Sequence, residues 1–89
     1  MLAPAYPDSV TLDQLKQSIC ARVVAIDWTG LDAGDAKRLR HFGFDEGVLV
    51  EALHSGPFGG DPIAVRVGRM TVAIRRRHAL AVRVQPETK

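Results

Sequence analysis

The sequence predicts a mainly β protein, a small antiparallel β-barrel of about five strands with one or two short helices. Three observations support this fold class. The chain has 89 residues, a length that suits a single domain with a modest core. Short segments rich in β-branched residues alternate apolar and polar positions, as half-buried strands do. Tight connections separate most of these segments, and one stretch between the first two has helical spacing.

The two ends of the chain are predicted to lie outside the barrel. Residues 1–9 contain two prolines and show no periodicity, which is typical of a flexible arm. They lack the basic start and the continuous apolar run of a signal peptide, and no apolar stretch is long enough to cross a bilayer. We expect one domain over residues 10–85, a tail over residues 86–89 and a cytoplasmic location. The single cysteine fits a reducing compartment.

A short helix or turn is predicted at the start of the domain. Thr11 and Gln14 have the spacing of a capping box, which favours a helical start near Leu12. The apolar stripe of this segment would consist of Leu12, Leu15 and Ile19.

A longer helix is predicted between the first two strands. Asp32 can cap its N-terminus, and Gly43 suits the left-handed backbone that often ends a helix. Apolar residues recur at three-residue intervals on one face of this helix, at Ala36, Leu39 and Phe42. Cations stand in its last turn, where the carbonyl dipoles favour them, at Arg38, Arg40 and His41.

Five segments have the composition and alternation of strands. They are residues 21–26, 48–53, 63–67, 70–75 and 82–84. Gly68 and Arg69 predict a tight turn between the third and fourth segments. Such short connections favour antiparallel neighbours, and the sheet must bend strongly to enclose a core in so short a chain.

The glycine-rich stretch SGPFGGDPIAV, residues 55–65, could be a phosphate-binding loop or a hairpin connection. A phosphate-binding loop requires a lysine and a helix that follows it. This stretch has no lysine, contains Asp61 and leads into a strand, so we interpret it as a hairpin loop. Phe58 at its centre either folds back onto the barrel or contacts another molecule.

The sequence predicts no enzyme. His41, His54 and His78 have no metal-ligand spacing, and no nucleophile and base pattern can be identified. We therefore expect no catalytic residues, no metal ligands and no cofactor. The histidines are interpreted as a helix-end residue and two surface residues, and Cys20 as a small buried thiol.

Positive charge is concentrated near the C-terminus. Residues 63–85 contain no Asp or Glu but several arginines. Strand alternation gives Arg66, Arg75 and Arg83 the same outward parity, and Arg76 and Arg77 would extend this basic patch. The patch is either a solvated barrel face or a contact for phosphate groups. Because residues 62–86 contain no Phe, Tyr or Trp, binding of nucleic acid by base stacking is disfavoured.

One segment resembles a known family. The segment RLRHFGFDEG, residues 38–47, is similar to the R-L-x-x-L-G-F-x-P-G core of the FeoA family. Further similarities follow in the family's order over roughly residues 10–85: GGDP at 59–62, Gly68, AIR at 73–75 and a closing A-x-x-V-x-V at 79–84. Phe42 replaces the usual leucine and Glu46 the usual proline, and the run of arginines at 75–77 is more basic than expected.

The resemblance implies an SH3-like barrel that assists a FeoB-type ferrous iron transporter by docking on its cytoplasmic GTPase region. It implies neither iron transport nor GTP hydrolysis by the chain itself. We expect the contacts to include Trp28, Leu31, Arg38, Arg40 and Phe58. Trp28 is interpreted either as an interface anchor or as a roof over the barrel.

Two other functions remain open from the sequence. The basic patch would suit a module that binds RNA or anionic lipid. A metal-responsive accessory barrel is the other, because related SH3-like domains occur at the ends of iron-dependent repressors. Exposed strand edges would also allow homo-oligomers.

Overall fold

The computed structural model of the protein describes residues 8–56 and 60–87. Most of the predicted N-terminal arm, the last two residues of the predicted tail and Phe58 lie outside the described residues.

In this part of the chain, six strands form one antiparallel sheet in the order β1-β6-β2-β3-β4-β5. The strands are β1 (Val10–Thr11), β2 (Cys20–Ile26), β3 (Leu49–Ser55), β4 (Ile63–Val67), β5 (Met70–Ile74) and β6 (Val82–Pro86). The prediction of a mainly β antiparallel fold with short helices is confirmed. The sheet has one strand more than expected, because the two-residue strand β1 pairs with the far end of the chain through Val10 and Val84.

Strand alternation places the core on one face of this sheet. On β4, Ile63, Val65 and Val67 are buried and Arg66 is exposed. Val65 pairs with Val72 of β5, so apolar side chains of neighbouring strands meet on the inner face. The core also includes Leu39 and Phe44, which come from the segment that connects β2 to β3.

Helix α1 (Ala33–His41) has the predicted ends. The Asp32 side chain accepts a hydrogen bond from the Asp35 backbone N–H at 2.8 Å, as an N-cap residue should. Gly43 has φ +92°, and the next residue, Phe44, donates its backbone N–H to the Leu39 carbonyl at 3.1 Å. The glycine therefore turns the chain out of the helix and brings Phe44 into the core.

The predicted start of the domain is a 3₁₀ turn over Leu12–Gln14. The Thr11 backbone N–H donates to Gln14 Oε1 at 3.4 Å, which is one of the two bonds of a capping box. Leu12 and Leu15 are buried, but Ile19 is 38% exposed. The stripe stops at Leu15 because the backbone there is already extended, so Ile19 does not continue a helical face.

A second helix, α2 (Arg76–Ala79), follows β5 and was not predicted. The Asp61 carboxylate, which precedes β4, accepts a hydrogen bond from the Arg76 backbone N–H at 2.9 Å. The helix therefore takes its N-terminal cap from a residue that is distant in the sequence.

Two predicted environments are wrong. His78, expected at the surface, is 3% exposed, because α2 turns its imidazole inward against Asp35 of α1. Cys20, expected as a buried thiol, is exposed. Its neighbours Ala21 and Val23 alternate into the core along β2, so Cys20 does not share their orientation. His41 and His54 are exposed, as expected.

Candidate partner-binding surface

Trp28 and Arg40, two of the predicted contact residues, lie against each other. Trp28 begins a 3₁₀ turn, Trp28–Gly30, between β2 and α1. The Asp27 carboxylate holds this turn by accepting hydrogen bonds from the Thr29 hydroxyl at 2.8 Å and the Gly30 N–H at 3.2 Å. The Arg40 guanidinium carbon lies 4.3 Å from the centroid of the Trp28 ring. At an exposed site, such a cation–π contact contributes about 0.5–1 kcal/mol.

The position of Trp28 agrees with the roof interpretation and also leaves part of the indole at the surface. It is partly buried and packs against the core together with Leu31 and Phe42. It also lies in the wall of an open depression of about 430 Å³ with Arg40, Gly43, Phe44 and Asp45. The indole is therefore part of the roof of the core and part of the outer surface.

A second, larger depression lies along α1 itself. Its volume is about 680 Å³, and its wall is formed by Gly34, Lys37, Arg38, Arg40, His41 and Phe42. We call these six residues the α1 surface. Its lining contains no carboxylate, and Arg40 belongs to the walls of both depressions. The two depressions therefore adjoin along the Arg40 side chain.

Some residues of the α1 surface were not among the predicted contacts. Gly34, Lys37 and His41 were not among the predicted contacts, although together with Arg38 they have the i, i+3, i+4, i+7 spacing of one helix face. That spacing was the available signal. The apolar residues of α1 predict which face is buried, but they do not show that these four residues share one exposed face.

Four arginines of the predicted basic patch each have a nearby carboxylate. The nitrogen–oxygen distances lie between 2.9 and 3.9 Å, for the pairs Arg66–Glu51, Arg76–Asp13, Arg77–Asp35 and Arg75–Asp61. Pairs at the surface contribute little stability, but they offset the positive charge of the strands and of α2. Arg83 lies on β6, and β2 and β3 separate it from Arg66 on β4.

The cations of α1 differ from these four arginines. Within the described ranges, Lys37, Arg38 and Arg40 have no carboxylate oxygen within 4.0 Å. All three side chains are exposed. The exposed cations Lys16, Arg69 and Arg83 also have no such partner within the described ranges, but each belongs to a different segment. On α1, three of these cations lie together on one short helix, beside a partly buried tryptophan.

A smaller depression of about 260 Å³ is lined by Cys20, Leu49, Val50, Glu51, Arg66 and Gly68. Residues 8–56 and 60–87 bring together no group of three or more histidine, cysteine or acidic side chains that could hold a metal ion. No helix among them is long and apolar enough to span a membrane.

The family model of the FeoA domain matches residues 10–86 of this chain. The search of curated proteins gave no match. Among solved structures, one of FeoA from Stenotrophomonas maltophilia in complex with zinc is 34% identical, with a TM-score of 0.73. The alignment covers 85% of this chain and 89% of that one. That protein is described as a prokaryotic SH3 domain protein, which confirms the SH3-like fold for the present sheet.

Two further structures agree with this match. FeoA from Chlorobium tepidum is 26% identical with a TM-score of 0.77, over 89% of this chain and 71% of that chain. An iron uptake regulatory protein, also FeoA, is 25% identical with a TM-score of 0.74, over 89% and 97%. A manganese-dependent transcriptional repressor shares the fold at 21% identity and a TM-score of 0.77, over 94% of this chain and 44% of that one.

Proposed function

Because this chain belongs to the FeoA family, which is associated with ferrous iron transport, we propose that it is a small accessory protein of ferrous iron uptake. In this proposal it works in the cytoplasm, where it binds the GTPase region of a FeoB-type transporter and modulates transport. It carries out no chemical step itself, and ferrous iron is the cargo of its partner.

The observation that supports a binding role is the α1 surface beside Trp28. A partly buried tryptophan stacked under an arginine is a typical anchor of a protein interface, since tryptophan and arginine are enriched among residues with large binding contributions. The proposed contacts are Trp28, Leu31, Arg38 and Arg40. Phe58, the fifth predicted contact, lies outside the described residues.

Co-purification tests this proposal. The wild-type chain should be retained by the tagged cytoplasmic region of the FeoB-type transporter from the same organism. Arg40→Gln should weaken retention several-fold, because it removes a charge and uncovers the indole. Arg83→Gln is the matched control, since it removes an exposed arginine on β6, and retention should be unchanged.

Failure of the wild-type chain to bind that region would contradict the proposal. If the wild-type chain, Arg40→Gln and Arg83→Gln are all retained equally, the transporter is still the partner, but the contact lies elsewhere on the barrel.

A further inference from the structure

We propose that the α1 surface binds an acidic peptide segment that carries an apolar side chain. This inference rests on the proposed function, since it assigns a chemistry to the partner segment that docks there. The segment would place carboxylates against Lys37, Arg38 and Arg40 and its apolar side chain in the depression beside Phe42.

Charge is the first argument. Arg76 and Arg77 of α2 and Arg66 of β4 each have a carboxylate within 4.0 Å, whereas the α1 cations have none in the described part of the chain. Asp35, the acidic residue within α1, faces His78 and Arg77 instead of the depression. Carboxylates of a partner would therefore meet positive charge that the protein itself does not compensate.

The shape of the surface supports the apolar part of the inference. The depression is concave, and half-buried Phe42 forms part of its wall. Gly34 keeps that wall open, because it has no side chain on the same helix face as Lys37 and His41. An apolar side chain of the partner could enter the depression and lose its contact with water, while carboxylates of the partner pair with the α1 cations at its rim. An apolar centre with a polar rim is the usual arrangement of a protein interface.

An acidic peptide fits better than a nucleic acid. Base stacking requires an exposed aromatic face. One face of Trp28 is covered by Arg40, and Phe42 is packed against the core. The α1 surface therefore offers cations and an apolar recess, and its exposed aromatic ring is the small imidazole of His41. One such ring is less than the series of aromatic side chains on which successive bases stack.

The substitution Gly34→Glu tests the inference without removing any cation. Gly34 has no positive φ, and a Cβ built there lies 3.5 Å from Asp32 Oδ1, an ordinary contact. A glutamate in the first turn of a helix is favourable, and it can pair with Arg38 four residues later. Folding should therefore be kept while a carboxylate enters the depression. Gly34→Gln adds the same bulk without the charge.

The probe is a fluorescent synthetic peptide of glutamates around one central leucine, measured by anisotropy at low and at physiological salt. Gly34→Glu should bind it about tenfold more weakly than Gly34→Gln does, a difference that corresponds to about 1.4 kcal/mol. A counterpart peptide with serines in place of the glutamates should bind far more weakly to the wild-type chain. Arg83→Gln should bind the acidic peptide as the wild-type chain does.

Three results would overturn the inference. The first is equal binding by the Glu and Gln variants, and the second is equal loss in Arg83→Gln, which would indicate unspecific attraction. The third is evidence for a different occupant of the α1 surface. Such evidence would be binding of single-stranded RNA or of phosphatidylserine vesicles that is tighter than binding of the acidic peptide, or self-association of the chain in sedimentation velocity. In each case Gly34→Glu would have to abolish the interaction.

The same variants separate this inference from the proposed function. If the transporter region binds the Gly34→Glu and Gly34→Gln variants equally well, the accessory role stands and the acidic-segment inference is wrong. If the transporter region does not bind but the acidic peptide shows the expected Glu and Gln difference, the inference stands and the transporter partner is wrong.

Discussion

Nε2 of His78 lies 3.0 Å from Oδ2 of Asp35, and this contact joins α2 to the first turn of α1. The imidazole is 3% exposed, and within the described chain its Nδ1 has no hydrogen-bond partner. The polar contacts of the ring are all at Nε2, where the Asp35 carboxylate lies at 3.0 Å and Arg77 Nε at 3.2 Å. The Asp35 carboxylate also lies in the first turn of α1, where negative charge is favourable. The helix that carries the α1 surface is thus fixed to the barrel by a polar contact as well as by the apolar packing of Leu39.

Replacing Asp35 by alanine should lower the free energy of unfolding by about 1–3 kcal/mol. It removes the carboxylate beside a buried imidazole whose Nδ1 has no partner in the described chain, and leaves Nε2 only the contact with Arg77 Nε at 3.2 Å. Chemical denaturation would measure the loss. Adding His78→Phe to this variant should recover much of it, since no buried polar ring then remains unpaired. Glu46→Ala, at an exposed carboxylate, is the control. A loss in Asp35→Ala no larger than in that control would mean that the contact adds nothing to stability.

The two glycines at the ends of α1 should respond in opposite directions to the same substitution. Gly43→Ala should destabilise the protein by about 1–2 kcal/mol, because φ +92° is costly for a residue with a Cβ. The added Cβ would lie 3.8 Å from Val67, so crowding is not the cause. Gly34→Ala should stabilise by up to about 1 kcal/mol through helix propensity. Thermal unfolding measures both changes in stability. A Gly43→Ala variant that unfolds at the same temperature as the wild-type chain would contradict the left-handed backbone at this position.

The Trp28–Arg40 contact can be followed by fluorescence, because Trp28 is the single tryptophan of the chain. Arg40→Gln should uncover the indole to water and shift its emission to longer wavelength, with less than about 1 kcal/mol of stability lost. Arg38→Gln removes the same charge from the same helix. Its emission should match that of the wild-type chain, and an equal shift in both variants would argue against a specific stack.

Cys20 should react with a thiol reagent in the folded protein. Its side chain is exposed at the start of β2, so Ellman's reagent should modify it in native buffer at a rate close to that in concentrated urea. Cys20→Ser should abolish the reaction and change stability by less than about 0.5 kcal/mol, as exposed substitutions usually do. Reaction only after denaturation would show that the thiol is covered.

Some of the fold could be predicted because the responsible interactions are local. The ends of α1 depend on Asp32, three residues from its hydrogen-bond partner, and on the backbone freedom of Gly43. The strands β4 and β5 show their orientation directly in the alternation of apolar and polar residues. Each of these signals lies within a few positions of the element that it defines, and the order of short motifs was enough to indicate the FeoA family.

The remaining features arise only when distant segments meet. Strand β1 has two residues and exists through its pairing with β6, and α2 is capped by Asp61, which lies 15 residues away in the sequence. The same is true of charge, since the sequence shows how many arginines there are but not which ones face a carboxylate. By itself the sequence determined the local elements and the family. The tertiary structure decided that His78 is buried and that the α1 cations remain uncompensated, because burial and ion pairing depend on which parts of the chain become neighbours in space.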